Sequence, residues 1–327
     1  MIITWEAIDN VKIQAPKVYL IMLQALFTND VETQSIWFNM LRDETGLKVI
    51  KEGMPALLDI YEKYGIKSTF YFVGDMAEKF PEVVKMILPY GHEVASHGWS
   101  HEVFNGFDVL SYKAQLEHLS RSKKLLEDIS GVEVVSFRAP ALRVNGNTAI
   151  ALAEAGFKID SSVASQRFDF FLSFGGVKKL NWLTAPRLPY RTAPESLFKK
   201  GDGRLVEVPL TALLFPYVGT TMRIFPNLTR IQRRLLHGES KMNHRPLVFD
   251  VHPNEFINEE SEPRRIARRS KNSVMYFLSD VLRSRLKVKN LGHKAIPLYE
   301  KMIAYYVSKG YSFPTVKDYC LSTKLLV

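Results

Sequence analysis

The chain has 327 residues, 46% hydrophobic and 12% aromatic, which is enough for one large domain or two medium ones with a sizeable core. Its single cysteine, Cys320, excludes an internal disulfide framework and a cysteine-rich zinc module. The net charge of +10 suits an acidic or phosphate-bearing partner or an anionic membrane surface. No nucleic-acid-binding motif accompanies this charge, so we expect no nucleic-acid partner.

The N-terminal residues carry acids where a secretory signal would carry bases. The apolar run 18–27 is too short to span a bilayer. We therefore expect a cytoplasmic protein, which could also contact the inner membrane surface peripherally. Residues 1–17 are predicted to be a loosely attached leader.

Segments typical of strands and helices alternate from residue 18 to residue 162. The run 18–27 is continuously apolar, as expected of a central parallel strand. The elements predicted after it are, in chain order, helix 53–64, strand 68–73, helix 81–88, strand 93–95, helix 111–129, strand 132–137, helix 147–155 and strand 157–159.

The pattern loosens between residues 165 and 204, and we predict a long excursion over the site that binds substrate. The basic stretch 256–294 is predicted to be an insertion or a lid. The remaining elements are strand 205–209, strand 247–251, helix 297–309, strand 311–316 and a helical turn at 316–321. Because strands and helices alternate, we predict one α/β domain over 18–321 with a parallel sheet. The polar clusters fall where strands end, as at the active-site face of a β/α barrel.

Two histidines and two carboxylates suggest a metal site. His97 and His101 are four residues apart, a spacing at which two imidazoles can reach one metal ion. A metal that activates water also needs a carboxylate and open positions. Asp30 and Glu32 lie at the end of the first predicted strand, where alternation puts both on one side. One could bind the metal while the other takes a proton from water.

Other side chains at predicted strand ends could assist. Arg138 could hold and ionise the base carboxylate through a charge-assisted hydrogen bond. His252 could protonate a leaving amine if Asp160 or Asp250 orients it and raises its pKa. Aromatic residues, among them Trp99, Trp182 and the cluster 168–174 that includes Phe171, could stack on a sugar or pack in the core.

The ordered motifs resemble those of NodB-type polysaccharide deacetylases across roughly residues 18–321. The segments that carry the resemblance are 30–32, 96–101, 137–140, 159–162 and 248–253. The family usually has adjacent aspartates in its first motif, so this chain is similar to the branch with acid-x-acid spacing. The resemblance implies a distorted (β/α) barrel with one divalent metal ion. Zinc is expected, with cobalt, nickel, manganese or iron as alternatives.

The same resemblance assigns roles to individual residues. A backbone amide near Ala141 would stabilise the oxyanion of the transition state. The other assignments are Glu32, His97 and His101 as metal ligands, Asp30 as base, Arg138 as the group that positions the base, His252 as general acid and Asp160 as the acid that supports His252.

The resulting prediction is a metal-dependent hydrolase that deacetylates an N-acetylated sugar in a polysaccharide, glycolipid or sugar precursor. A deformylase or ureide amidohydrolase on the same barrel is an alternative. A catalytically silent glycan-binding module and a structural α/β protein with chance histidines are alternatives of other classes. The basic residues within 264–289 could meet an anionic membrane or a diphosphate-linked carrier. The oligomeric state stays open.

Overall fold

The computed structural model describes residues 22–167, 181–260, 273 and 276–326. Within them, thirteen strands are numbered in chain order: β1 Ala25–Val31, β2 Gln34–Ser35, β3 Met40–Leu41, β4 Ser68–Phe72, β5 Glu93–Ser96, β6 Ser136–Phe137, β7 Ile159–Asp160, β8 Tyr190–Ala193, β9 Ser196–Lys200, β10 Val206–Glu207, β11 Ala212–Leu213, β12 Phe215–Pro216 and β13 Leu247–Val251.

The α-helices of the described residues are α1 Asp43–Lys48, α2 Met54–Tyr64, α3 Gly74–Lys79, α4 Glu82–Lys85, α5 Tyr112–Ser130, α6 Thr148–Glu154, α7 Gly219–Ile224, α8 Pro226–Asn243, α9 Arg283–Lys287, α10 Ile296–Ser308 and α11 Val316–Ser322. Wider π-helical turns occur at Val49–Gly53 and Tyr276–Leu282. Short 3-10 turns include Pro140–Leu142 and Pro253–Glu255. In the described part of the chain, every helix is too short or too polar to cross a bilayer.

Nine of these strands form one curled sheet in the order β13-β1-β4-β5-β6-β7-β10-β8-β9. The pairings from β13 to β10 are parallel, and β8 and β9 are added antiparallel at the edge. The segment after β10 crosses to β13, where Thr211 N donates to Val248 O at 3.1 Å and Val248 N donates to Thr211 Oγ1 at 2.9 Å. The sheet therefore curls into the distorted barrel that the sequence predicted.

The central strand β1 explains why the sheet is stable. All seven of its residues are buried. On the helix side, Phe27 packs edge-on against Phe249, Tyr299 and Tyr306 with ring centroids 5.8–6.4 Å apart. Edge-to-face aromatic packing of this kind adds to the free energy gained by burying apolar area. A rigid centre of the sheet then fixes the positions of the side chains at its carboxyl end.

Several predicted elements are confirmed within a residue or two. Strand 247–251 and the helices predicted at 53–64, 111–129, 147–155 and 297–309 have close counterparts. The long α5 begins where expected because Ser111 Oγ accepts a hydrogen bond from Ala114 N at 3.3 Å.

Other boundaries were wrong. The first strand occupies Ala25–Val31 rather than 18–27, so Asp30 lies within the strand rather than after it. The strand predicted at 132–137 is reduced to Ser136–Phe137, and the one at 311–316 to a bridge between Gln24 and Ser312. Helix α8 and strands β8 and β9 were not predicted. The leader 1–17 and the aromatic cluster 168–174 lie outside the described residues, as do 261–272 of the predicted basic insertion.

We predict that Gly53 is required for close packing beside the site. A methyl group at Gly53 would collide with the carbonyl oxygen of Pro253, whereas nothing lies within 4 Å of a methyl group at Gly238 on α8. Gly53→Ala should therefore lower the free energy of unfolding by about 1–3 kcal/mol. The control Gly238→Ala should raise it by about 0.5–1 kcal/mol, because alanine suits a helix interior better. Urea unfolding measures both, and equal effects of the two substitutions would contradict the prediction.

Candidate active site

The carboxyl ends of neighbouring parallel strands bring the predicted site residues together at one end of the barrel, which we call the rim. Asp30 and Glu32 come from the end of β1, His97 follows β5, Arg138 follows β6 and His252 follows β13. Alternation along β1 turns Thr28, Asp30 and Glu32 toward the barrel interior. Side chains from these strands therefore converge, as they do at the active-site face of β/α barrels.

Three of the converging residues form a potential metal site. Ligand atoms of Glu32, His97 and His101 all lie within 4.8 Å of one another. Nε2 of His101 is 2.9 Å from Oε2 of Glu32. Although burial favours the neutral acid, the His101 imidazole, together with His252 and His97, lowers the pKa of Glu32 to about 2. Glu32 is thus ionised, and two imidazoles with a carboxylate are a donor set that suits a divalent transition metal.

His97 is held in the form that a metal would need. Its Nδ1 lies 2.8 Å from the carbonyl oxygen of Arg138, which can only accept, so the proton sits on Nδ1. Burial lowers the pKa of His97 to about 4, so the ring is neutral at pH 7. Its Nε2 is buried and has no hydrogen-bond partner in the described structure. A buried, unpartnered lone pair aimed at Glu32 and His101 fits a metal ion.

Arg138 is fully buried and organises two carboxylates. Its Nη1 donates to Asp30 Oδ1 at 2.8 Å, to Asp250 Oδ1 at 2.6 Å and to Thr28 Oγ1 at 2.9 Å. Burial alone would raise the pKa of Asp30, but the guanidinium together with His97 and His252 outweighs burial and lowers this pKa. Burial and the charge of Asp30 together raise the pKa of Asp250. Of the pair, Asp30 is therefore the carboxylate that stays ionised.

The second oxygen of Asp30 faces the rest of the site. Oδ2 lies 3.6 Å from His97 Nε2 and 3.9 Å from His252 Nε2. One oxygen is thus held by Arg138 while the other points between a potential metal ligand and a potential acid. This is the position that a general base beside a metal-bound water would need.

His252 lies among carboxylates and reaches the surface, with 27% of its side chain exposed. Its Nδ1 is 3.7 Å from Asp250 Oδ2 and 3.5 Å from Glu255 Oε1. Burial opposes the charged imidazole, but Asp250, Glu255 and Glu32 outweigh it and raise the pKa of His252 to about 10. The ring is therefore protonated at pH 7 and can donate a proton.

The prediction that Asp160 supports His252 was wrong. The carboxylates within 4.0 Å of His252 are Asp30, Glu32, Asp250 and Glu255. Asp160 instead accepts from Ser162 Oγ at 2.6 Å, and Ser162 Oγ also accepts from Ala139 N at 2.9 Å. Four strands separate β7 from β13 along the sheet, so Asp160 stabilises the loop after β6.

That loop contains Ala141, predicted to contribute an oxyanion-stabilising amide. Ala141 and the following Leu142 have φ values of 51° and 54°, in the left-handed region that side chains disfavour. Leu142 N donates to Ala139 O at 2.8 Å, which closes the turn. Strained backbone at the rim of a site is often retained because it orients a functional group. The role of Ala141 stays a prediction.

Three aromatic residues were predicted as candidates for stacking on a sugar, and the structure describes two of them. The Trp99 ring has the Arg121 guanidinium 3.3 Å from its centroid, and a methyl group at Gly74 would lie 2.7 Å from its Cε3. Protein groups thus contact Trp99 in two places, and the stacking role of its half-buried ring stays a prediction. Trp182 is buried in the core. Phe171 lies outside the described residues.

Comparison with known proteins shows which family part of the chain is similar to. Residues 41–159 match the family model described as polysaccharide deacetylase. These residues are thus similar to polysaccharide deacetylases. The predicted resemblance is confirmed, although the matched range includes His97, His101 and Arg138 but not Asp30, Glu32 or His252.

Individual deacetylases are similar to part of the chain. The peptidoglycan deacetylase of Helicobacter pylori is 34% identical over 123 residues, 38% of this chain and 41% of that protein. The peptidoglycan-N-acetylglucosamine deacetylase of Bacillus cereus is 29% identical over 108 residues, 33% of this chain and 38% of that protein. The alignments therefore span about two fifths of these relatives.

The fold extends further than the sequence match. A crystal structure from Pseudomonas aeruginosa PAO1, described as a probable polysaccharide deacetylase, aligns with a TM-score of 0.56. The alignment covers 91% of this chain and 90% of that one at 16% identity. This likeness supports the barrel architecture of the polysaccharide deacetylase fold.

Sequence reasoning missed two residues of the candidate site. Asn254 Nδ2 donates to Glu32 Oε1 at 3.4 Å and to Gln34 O at 2.7 Å. Glu255 lies against His252 and pairs with the buried Arg223. Both Asn254 and Glu255 directly follow the strand that ends in His252, and this proximity was the signal available. Nothing in the sequence pointed to Arg223.

We predict that Glu255 helps to keep His252 protonated. In metal-free protein, the pKa of His252 is raised from its ordinary 6.5 to about 10, so its charge stabilises the fold below pH 6.5 and this contribution is lost as the pH rises through about 10. Glu255→Gln removes a negative charge and should lower the pKa of His252 by at least about one pH unit.

NMR titration of histidine-labelled protein, with His252→Gln for assignment, measures this change. The control Glu239→Gln removes a partly buried carboxylate that is paired with Arg187 and Arg245 rather than with His252. An unchanged His252 titration in Glu255→Gln, or an equal change in Glu239→Gln, would disprove the role of Glu255.

Proposed function

We propose that the protein is a metal-dependent hydrolase that removes the acetyl group from an N-acetylated sugar of a glycan. The observation that carries this proposal is His97, whose Nδ1 is fixed by the Arg138 carbonyl while its buried Nε2 has no partner in the described structure and faces Glu32 and His101. The names of the similar deacetylases support an N-acetylated glycan as substrate.

Glu32, His97 and His101 would hold the metal ion. When bound, a divalent ion such as zinc polarises the amide carbonyl and lowers the pKa of water. Cobalt, nickel, manganese and iron are alternatives for the same donor set. Asn254 restrains Glu32 through its contact with Oε1, so the carboxylate is held in place from the side of β13.

Asp30 is the proposed base. Arg138 keeps it ionised, and its Oδ2 is the oxygen directed toward His97 and His252. Asp30 takes a proton from the attacking water while the Arg138 guanidinium stays in place. A carboxylate held at one oxygen by a buried guanidinium loses little freedom when the reaction begins.

His252 is the proposed acid. It gives its proton to the sugar nitrogen, so the product leaves as an amine rather than as an unstable amide anion. Asp250 and Glu255 lie 3.7 and 3.5 Å from Nδ1, and Nε2 faces Asp30 and Glu32. The backbone near Ala141 would stabilise the negative charge that develops on the acyl oxygen.

Release of acid tests the reaction. Protein loaded with zinc or cobalt would be incubated with N-acetylglucosamine oligomers, nucleotide-linked N-acetyl sugars and formamido sugars. We expect acetate from at least one N-acetylated substrate, above an Asp30→Asn blank. Formate alone would indicate the deformylase alternative. Metal-loaded protein that releases no acid but binds the oligomers would support a silent glycan-binding module.

Substitutions separate the metal ligands from the base. His97→Ala and His101→Ala should abolish retention of zinc after dialysis, measured by elemental analysis. Asp30→Asn should retain zinc yet lose turnover by roughly 10²–10⁴-fold. His118→Gln changes a half-buried histidine on α5 and serves as control. Loss of zinc from Asp30→Asn with retention in Glu32→Gln would reverse the two carboxylates.

A further inference from the structure

Helix α8, Pro226–Asn243, presents large apolar side chains to solvent. The residues that it buries are mostly polar: Thr229, Gln232, Leu236 and Ser240. Ile231, Leu235 and Met242 are instead 56%, 58% and 85% exposed. They are spaced by four and seven residues and therefore line one side of the helix. Packing among the described residues does not explain an outward apolar stripe on a helix whose inner face is polar.

A basic stripe runs beside the apolar one. Arg230, Arg234 and Lys241 each directly precede one of the three exposed apolar residues, and all three are exposed. One residue corresponds to about 100° around a helix, so the two stripes run side by side. No carboxylate among the described residues forms an ion pair with these cations. The only acid of the helix, Glu239, is engaged by Arg187 and Arg245.

A neighbouring hairpin extends the apolar area. Gln232 Nε2 donates to the carbonyl oxygens of Leu213 and Phe215 at 3.2 and 3.0 Å, which fixes the hairpin β11–β12 against α8. Leu214 at its tip and Phe215 are both exposed. Phe225, the residue before the helix, is exposed as well. We call these residues together with the two stripes of α8 the α8 surface.

We propose that the α8 surface docks the protein onto a membrane that contains anionic phospholipids. The apolar stripe would enter the boundary between head groups and acyl chains, and the basic stripe would meet lipid phosphates, as in interfacial amphipathic helices. A second copy of the chain fits less well, because each α8 surface carries three cations and no available acid. The inference does not depend on hydrolytic activity.

The basic region that the sequence suggested for a membrane contact is a weaker candidate in its described part. Lys289 Nζ donates to Ile224 O at 3.0 Å and Lys287 Nζ to Asn39 Oδ1 at 3.4 Å. These two lysines are thus bound to the protein itself. The cations of the α8 surface, in contrast, accompany exposed apolar side chains.

Vesicle sedimentation of the full chain tests the proposal. The protein should sediment with vesicles of phosphatidylcholine mixed with phosphatidylglycerol, and binding should weaken as salt screens the charges. Vesicles of phosphatidylcholine alone should bind at least about tenfold less protein, since each cation near an anionic surface contributes roughly a fivefold gain in affinity.

Two triple variants test the apolar stripe and the basic stripe of the α8 surface separately. Ile231→Gln, Leu235→Gln and Met242→Gln combined should lose vesicle binding by at least about tenfold. Arg230→Gln, Arg234→Gln and Lys241→Gln combined should do the same and also remove most of the salt dependence. Both should keep the thermal unfolding midpoint and the release of acid from a short soluble substrate.

Matched controls lie elsewhere on the chain. Ile150→Gln with Leu321→Gln changes exposed apolar residues, and Lys51→Gln, Lys85→Gln and Lys113→Gln remove the same charge from other exposed sites. Failure of the wild type to bind anionic vesicles, or an equal loss in the controls, would overturn the proposal. So would a wild-type dimer in light scattering that the apolar variant dissociates without any vesicle binding, because a second copy would then cover the surface.

Discussion

The buried guanidinium of Arg138 is the interaction on which the rest of the site depends. A cation removed from water is costly unless charges and hydrogen bonds compensate it. Here Asp30 and Asp250 accept from one nitrogen, and Ser161 accepts from the other two through its carbonyl and hydroxyl oxygens. The Cζ atom of Arg138 also lies 4.2 Å from the centroid of the Tyr71 ring. The same residue acts a second time through its main chain, because its carbonyl oxygen fixes the tautomer of His97.

This arrangement separates two carboxylates that would otherwise behave alike. Asp30 and Asp250 accept hydrogen bonds from the same nitrogen of Arg138. Because two carboxylates this close repel each other, ionisation of one disfavours ionisation of the other. Asp30 also faces the protonated His252, so it retains the charge, while the pKa of Asp250 rises. Titratable pairs whose pKa values are pushed apart commonly divide acid and base roles. Asp250 is then better suited to orient His252 than to accept a proton from water.

Much of the rim could be predicted because it is encoded by short, local patterns. Asp30 and Glu32 are two residues apart on a strand, and His97 and His101 follow the end of another, so few alternative placements exist. Which carboxylate lies beside His252 depends on contacts between segments that are distant in the sequence. The sequence offered both Asp160 and Asp250 as partners, and the order of motifs favoured Asp160. The order of strands favours Asp250, which lies on β13 just before His252, whereas four strands of the sheet separate Asp160 from β13.

The elements that the sequence did not reveal have a physical reason too. Helix α8 buries Thr229, Gln232 and Ser240, so its inner face carries little of the apolar periodicity on which helix prediction rests. Strands β6, β7 and β10 were predicted at 132–137, 157–159 and 205–209, but each is only two residues long in the sheet, so too little alternation was available to fix their bounds. Tertiary packing, rather than local propensity, determines these elements.

The contacts behind His252 show how residues 287–289, which are distant from it in the sequence, help to position its side chain. Glu255 sits between His252 and the fully buried Arg223, whose Nη1 donates to the carbonyl oxygens of Lys287 and Lys289 at 2.9 and 2.8 Å. A methyl group at Gly219 would come within 2.5 Å of Glu255 Oε1, so only glycine leaves room for this carboxylate. Since the guanidinium is held from both ends, the backbone of 287–289 restrains Glu255 and, through it, the imidazole. The described end of the basic stretch therefore serves as a support for the proposed acid, whatever the remainder of that stretch contacts.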